Sequence, residues 1–170
     1  WSERRWLHTD AQGKPDVGVT AGLTHLGSGF LTTSPESGTR YFSRDYGLTW
    51  TETAPVAKGA NGRELYHWDP LLVDRDQSGQ IVRLTEARWN ETGALRDDPK
   101  SKYSQAYLWF STDLGKSWSR EASVPAWYGV NEVALVRARN GDIVAACRTD
   151  NPVRFKGELD LYSGMGVSIS

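Results

Sequence analysis

The chain has 170 residues and nearly balanced charge, with 20 basic and 21 acidic residues and a formal net charge of -1. This balance gives no sign of the basic surface that nucleic acid requires, so we expect no nucleic-acid partner. Because the sequence contains no apolar run of about 18 residues, we also expect no membrane span. A single cysteine, Cys147, excludes an internal disulfide framework, and its apolar neighbours predict a buried thiol.

The first predicted unit covers residues 17–56. The segment VTAGLTHLGSGFLTT indicates two strands around the turn Gly27-Ser28-Gly29, because glycine tolerates positive φ. A third strand leads into SRDYGLTW, residues 43–50. In this segment the aspartate can accept main-chain N–H bonds of a tight turn, and a tryptophan follows as the next strand leaves. We therefore predict four antiparallel strands.

The second predicted unit covers residues 65–124 and has the same order. DPLLVDRDQSGQIVRLTEARW supplies two strand-like runs around a glycine-containing turn, and STDLGKSW follows at residues 111–118. The frame Ser-x-Asp-x-Gly-x-(Thr/Ser)-Trp thus occurs twice, ending at Trp50 and Trp118. One chance match in a chain of this length has a probability on the order of one in ten thousand. The two segments are therefore interpreted as a repeat.

The third predicted unit covers residues 130–170. NEVALVRARNGDIVAACRTD is built around Asn140-Gly141-Asp142, and Asn-Gly is the strongest short hairpin signal. The unit continues to GMGVSIS, where alignment with the earlier units makes Ser170 the first residue of a third frame. Four-stranded units repeated in series at this spacing are typical of a β-propeller.

The two frames resemble the Asp-boxes, or BNR repeats, of the sialidase (neuraminidase) superfamily, whose propellers have six blades. The resemblance implies an all-β, six-bladed propeller of four-stranded antiparallel blades, of which this chain supplies roughly the first two to three. The ring would be completed by residues of the same or another chain, because an open arc leaves blade faces and strand edges uncovered. In that superfamily the Asp-boxes lie on outer hairpins, away from the catalytic face.

Candidate site residues occur at the opposite rim, where the innermost strands begin and the second strands end. The segment NEVALVRARNGDIVAACR resembles a sialidase segment in which a glutamate stands at the start of an inner strand and an arginine at the end of the next. Glu132 and Arg148 occupy these two positions here. The resemblance implies that Glu132 activates a tyrosine nucleophile from a later blade. It also implies that Arg148 binds the substrate carboxylate, which suits the planar fork of a guanidinium. The further candidates are Asp69 for catalysis and Arg88, His67 and Asp150 for substrate binding.

Two positions depart from the sialidase pattern. The aligned stretch GVTAGL contains no arginine, and Thr20 stands about where one of the three substrate-binding arginines is expected. The catalytic aspartate expected before the first frame is also missing, since TTSPESG offers only Glu36. These departures concern the substrate more than the fold.

The sequence therefore predicts a secreted or periplasmic, retaining exo-glycosidase that acts on terminal sialic acid or a related acidic sugar of glycans, without cofactor or metal. A non-catalytic carbohydrate-binding or interaction propeller is one alternative. A polysaccharide lyase on uronate-containing glycans is another, with a tyrosine or His67 as base. A purely structural interpretation also stays open, because charged pairs at strand ends often form salt bridges of little energetic weight.

Overall fold

A computed structural model describes residues 6–15, 17, 20–35, 38–56, 58–59, 65–95, 98–149 and 164–170, and within 91–103 it describes the main chain alone. Every regular element in these ranges is a β-strand. No helix in this part of the chain is long and apolar enough to cross a membrane. The all-β class is thereby confirmed.

The strands form three antiparallel sheets, each built from consecutive strands. Sheet 1 contains β1 (Thr20–Gly27), β2 (Phe30–Pro35), β3 (Thr39–Ser43) and β4 (Glu52–Pro55). Sheet 2 contains β5 (Leu72–Arg75), β6 (Ile81–Leu95), β7 (Asp98–Ser111) and β8 (Ala122–Tyr128). Sheet 3 contains β9 (Val130–Arg137), β10 (Ile143–Thr149) and β11 (Gly164–Ile169). The predicted four-stranded antiparallel units are therefore present in sheets 1 and 2.

The two copies of the repeated frame form the turns between β3 and β4 and between β7 and β8, which we call the Asp turns. In the first, the Asp45 carboxylate accepts bonds from the Ser43 hydroxyl at 2.7 Å and from the main-chain N–H and hydroxyl of Thr49 at 2.9 and 2.6 Å. The Ser43 hydroxyl in turn accepts the N–H of Gly47 at 2.8 Å. Gly47 has φ of 87°, a conformation that favours glycine.

The second Asp turn repeats these bonds with Ser111, Asp113, Gly115 and Ser117. The tryptophan that ends each frame is half-buried. Trp50 donates to the carbonyl of Gly47 at 3.1 Å, and Trp118 packs against the apolar cluster between sheets 1 and 2. Equal sequence frames thus produce equal turns, as predicted.

The three sheets pack face to face in chain order. Between sheets 1 and 2 the buried cluster contains Leu26, Leu71 and Leu84. Between sheets 2 and 3 a larger cluster contains Ala106, Trp127, Val130, Val133, Ala145 and Cys147. The thiol of Cys147 is buried, as expected from its neighbours, and burial raises its pKa. The opposite face of sheet 3 exposes Val136, Met165, Val167 and Ile169.

One arginine connects sheet 2 to sheet 1 and another connects sheet 3 to sheet 2, both at the end where the Asp turns lie. Arg75, the last residue of β5, donates to the carbonyl of Gly79 in its own hairpin at 2.9 Å and to that of Leu26 in sheet 1 at 2.8 Å. Arg137, the last residue of β9, likewise donates to the carbonyl of Gly141 and to the carboxylate of Asp74 in sheet 2. The inter-sheet contacts therefore repeat along with the strands.

Candidate functional site

Glu132 and Arg148 meet at the end of sheet 3 that lies opposite to the Asp turns. β9 begins two residues before Glu132 and β10 ends one residue after Arg148, so antiparallel pairing brings the two residues to the same end. A carboxylate oxygen of Glu132 lies 2.7 Å from a guanidinium nitrogen of Arg148. The side chains are 35% and 46% exposed, respectively. This charged pair is therefore accessible to a ligand.

Asp69 brings a second carboxylate to this region from the segment that precedes β5. Its half-buried side chain faces the main-chain N–H of Val133, which follows Glu132 in β9. Burial and, next, the negative charge of Glu132 raise the pKa of Asp69. The acid form of Asp69 therefore persists to higher pH than that of an ordinary aspartate, which is the property a proton donor needs.

Sheet 1 supports the segment that carries Asp69. The β1 strand has a register shift after Ala21, and Gly22 there has φ of 65°. A Cβ atom at Gly22 would lie 2.4 Å from the main-chain oxygen of Asp69, so only glycine allows this approach. The hydroxyl of Thr24 accepts the N–H of Leu71 at 2.8 Å and donates to the carbonyl of Gly22 at 3.1 Å.

His67 lies inside the molecule, on the other side of the same segment. Its ring is 2% exposed, and Nε2 lies 3.0 Å from the hydroxyl oxygen of Ser34 in sheet 1. Burial and the positive charge of Arg88 lower the pKa of His67 to about 4. The imidazole is therefore neutral at physiological pH, and Ser34 can donate to Nε2.

Arg88 lies in the same buried network. Its guanidinium donates to the carbonyl of Leu65 at 3.0 Å, to the Ser34 hydroxyl at 3.3 Å and to the Glu86 carboxylate at 2.9 Å. Glu86 also pairs with Arg40 of sheet 1. Although burial opposes ionisation, the charges of Arg40 and Arg88 hold the pKa of Glu86 at about 2.

Of the residues predicted from sequence, the structure brings Glu132, Arg148 and Asp69 together, whereas His67 and Arg88 lie within the network between sheets 1 and 2. Asp150 and Glu36 lie outside the described residues. Thr20 is the first residue of β1.

Sequence reasoning missed Arg40 and the partnership of Glu86 with Arg88. The signal was present in β6, where Glu86 and Arg88 share the face of the buried Leu84 at two-residue spacing. This alternation places both charged side chains in the interior.

A concave pocket lies at the other end of the sheets, lined by residues that include Arg75, Arg83, Arg137 and Asp74. The three arginines already donate to Asp74 or to main-chain carbonyls there. In the described part of the chain, no three His, Cys, Asp or Glu side chains are grouped as ligands for a metal ion. The accessible charged pair at the opposite end is therefore the stronger candidate site.

No protein-family model matches the chain, but it is similar to a curated protein and to solved structures. Over 123 residues the chain is 27% identical to Sialidase-3 of Rattus norvegicus, a match that covers 69% of this chain and 29% of that protein. The chain thus spans less than a third of that relative. The crystal structure of a protein of unknown function from Dyadobacter fermentans DSM 18053 has a TM-score of 0.55 and 18% identity, covering 79% of this chain and 45% of that one. The first similarity supports a distant sialidase-like relationship, and the second shows a shared fold.

Proposed function

We propose that this chain is part of a sialidase-like glycoside hydrolase, a retaining exo-glycosidase that removes terminal sialic acid or a related acidic sugar from glycans. The observation that carries the proposal is the accessible Glu132–Arg148 pair with Asp69 beside it. The distant similarity to a sialidase supports the same class of reaction.

The three side chains have distinct roles in the proposed reaction. The half-exposed guanidinium of Arg148 binds the substrate carboxylate, since its planar fork matches two carboxylate oxygens. Glu132 accepts the proton of a tyrosine nucleophile from another part of the ring, and a neutral tyrosine avoids repulsion by the substrate carboxylate. Asp69, with its raised pKa, protonates the departing oxygen of the glycosidic bond.

The proposal includes a six-bladed propeller in which sheets 1, 2 and 3 are successive blades and the Asp turns are Asp-boxes. The face-to-face packing of the three sheets supports this arrangement. A fourth blade would cover the exposed row of Met165, Val167 and Ile169 on sheet 3. The remaining blades belong to the same or another chain, and a secreted or periplasmic location is part of the proposal.

Exposed aromatic rings near Asp69 support a sugar as the ligand. Tyr66 and Trp68 are each 40% exposed, and they alternate with the buried Leu65 and His67. The ring of Tyr66 is supported by Trp89, with ring centroids 5.0 Å apart. Rigid aromatic faces of this kind can pack against the C–H face of a pyranose.

The lyase alternative with His67 as base receives no such support, whereas its form with a tyrosine base is left to the test below. A base must reach the proton that it removes. In this structure the ring of His67 is buried and its Nε2 faces Ser34.

The proposal is tested with the full-length protein and a fluorogenic sialoside. We expect wild-type protein to release free sialic acid, and Glu132→Gln or Arg148→Ala to abolish release while circular dichroism shows an unchanged fold. Glu52→Gln is the matched control, because Glu52 is an equally exposed carboxylate paired with Arg44 near the first Asp turn. Full activity in both site variants would contradict the site assignment. Production of an unsaturated uronate would indicate the lyase, and glycan binding without any turnover would indicate the binding propeller.

A further inference from the structure

We propose that sheet 1 is the positioning element for Asp69, and that His67 and Arg88 act through the Asp69 segment without touching the substrate. This inference rests on the proposed function, because it concerns the proton donor of that reaction. The contacts that carry it reach residues 67–71 from sheet 1 at three separate points.

The first point lies after Asp69. Thr24 has a buried hydroxyl that accepts the N–H of Leu71 at 2.8 Å. The same hydroxyl donates to the carbonyl of Gly22 at 3.1 Å, so it is used in both directions. Between Asp69 and Leu71 stands Pro70, whose ring fixes its own φ and restricts the conformation of Asp69. The chain after Asp69 therefore has little freedom.

The second point is Asp69 itself. Gly22 packs so closely on the main-chain oxygen of Asp69 that no side chain fits between them. Because Gly22 accepts the Thr24 hydroxyl, the contact and the hydrogen bond depend on the same backbone bulge in β1. The contact with sheet 1 thus fixes how close the Asp69 main chain lies to β9.

The third point lies before Asp69. The Ser34 hydroxyl is 3.0 Å from the His67 ring and accepts a bond from Arg88 at 3.3 Å. Arg88 is fixed by Glu86, which also pairs with Arg40 of sheet 1. All these side chains are buried, so the network fixes the position of His67. Because His67 is only two residues before Asp69, the main chain leading into Asp69 is fixed as well.

The consequence appears on the far side of the segment, at sheet 3. With its backbone held by sheet 1, Asp69 presents its carboxyl group to the N–H of Val133 and to Glu132. Among the described residues, the charge that acts on Asp69 is that of Glu132, and Glu132 in turn forms an ion pair with Arg148. A displacement of Asp69 away from Glu132 would weaken the repulsion that favours its acid form.

The kinetic test uses the full-length protein and Thr24→Val, which removes the hydroxyl and keeps the shape. We expect kcat for a sialoside to fall by roughly one to two orders of magnitude, with KM unchanged, because a small misplacement of a reacting group is costly. The pKa of the alkaline limb of the pH profile, where the proton donor Asp69 loses its proton, should fall. Thr24→Ser should restore both kcat and this pKa. Ser34→Ala should act in the same direction through His67.

Ser43→Ala is the matched control, since Ser43 is also a buried residue of sheet 1 but its hydroxyl bonds to Asp45 and Gly47 in the first Asp turn, at the opposite end of the sheets. This control should keep the wild-type pH profile. A rise in KM with kcat preserved in Ser34→Ala would overturn the inference in favour of direct substrate binding by His67 and Arg88. An equal loss of kcat in Ser43→Ala would overturn it in favour of a general structural effect.

A second measurement separates this inference from the proposed function. The pKa of Asp69 is measured by carbon NMR on full-length protein labelled at its aspartate carboxyl groups, with Asp69→Asn to assign the signal. We expect a lower pKa in Thr24→Val than in wild type and in Thr24→Ser. An unchanged pKa would overturn the positioning role. The absence of sialoside hydrolysis would overturn the proposed function, whereas the NMR measurement would still decide whether sheet 1 positions Asp69.

Discussion

The carboxyl groups of Asp69 and Glu132 come from different sheets, yet the charge of Glu132 contributes to the raised pKa of Asp69. Asp69 precedes β5 of sheet 2, whereas Glu132 stands near the start of β9 in sheet 3. Ionisation of Asp69 is opposed because it must occur partly buried and near an existing negative charge. The raised pKa is what allows an aspartic acid to act as a proton donor.

Removing the charge of Glu132 should lower the pKa of Asp69. In Glu132→Gln the amide keeps the shape of the side chain and cannot repel an ionised Asp69 carboxyl. The shift is measured by NMR titration, with Glu52→Gln as a control that leaves Asp69 unchanged. A pKa of Asp69 that is the same in Glu132→Gln as in wild type would mean that burial alone raises it.

Replacing Glu86 should strongly destabilise the fold. Glu86→Gln would leave the guanidinium groups of Arg40 and Arg88 without the buried carboxylate that both contact. Breaking a buried ion pair from one side costs about 3 to 5 kcal/mol. Urea denaturation would give this value, whereas the exposed pair of Glu52 should contribute less than about 1 kcal/mol. A similar small loss in Glu86→Gln would contradict the importance of the network.

Acid should weaken the Asp turns. Hydrogen bonds from Thr49 and Ser43 lower the pKa of Asp45 from 3.8 to about 2, and bonds from Ser117 and Ser111 lower that of Asp113 to about 2 despite some burial. Because both pKa values are lower in the folded state, the stabilisation is present above about pH 4 and is lost as the pH falls towards 2. The pKa of Glu86 is also lowered in the folded state, so its contribution to stability is lost over the same range of acid pH.

The double variant Asp45→Asn with Asp113→Asn isolates the turns. It should lower the urea midpoint at neutral pH and flatten its decline in acid. An acid decline as steep as that of wild type would assign the effect to other carboxyl groups, with Glu86 first among them.

Removing the exposed ring of Trp68 should weaken binding of a glycan substrate. Trp68→Ala should raise KM for sialyllactose roughly fivefold, if the ring contributes about 1 kcal/mol of stacking. Tyr46→Ala is the control, because Tyr46 is exposed in the first Asp turn, at the opposite end of the sheets. An unchanged KM in Trp68→Ala would show that this ring does not contact the sugar.

Features encoded by neighbouring residues could be predicted from the sequence. The turns at Gly27–Gly29, at the two frames and at Asn140–Asp142 follow from glycine and aspartate chemistry within a few residues. The meeting of Glu132 with Arg148 follows from one antiparallel hairpin, whose geometry brings the start of one strand to the end of the next.

Features that depend on another sheet could not be predicted in this way. The sequence placed Arg88 and His67 at strand ends, where polar residues are usually exposed, whereas β6 continues past Arg88 to Leu95 and His67 precedes β5. They are buried because Glu86 and Ser34 satisfy them, and Glu86 is itself shared with Arg40, 46 residues earlier in the chain. Sequence patterns within one strand do not reveal such a partner. Trp50 and Trp118 are each half-buried: Trp50 donates to the carbonyl of Gly47 within its own turn, whereas Trp118 packs against the cluster between sheets 1 and 2.

The arginines that end β5 and β9 have an implication for how such a chain can grow by duplication. Each holds the glycine carbonyl of its own hairpin and extends backward to an oxygen of the preceding sheet. A duplicated segment therefore carries the arginine that attaches it to the preceding sheet. It can attach to any predecessor that presents an acceptor at the matching position, whether a main-chain carbonyl as at Leu26 or a carboxylate as at Asp74.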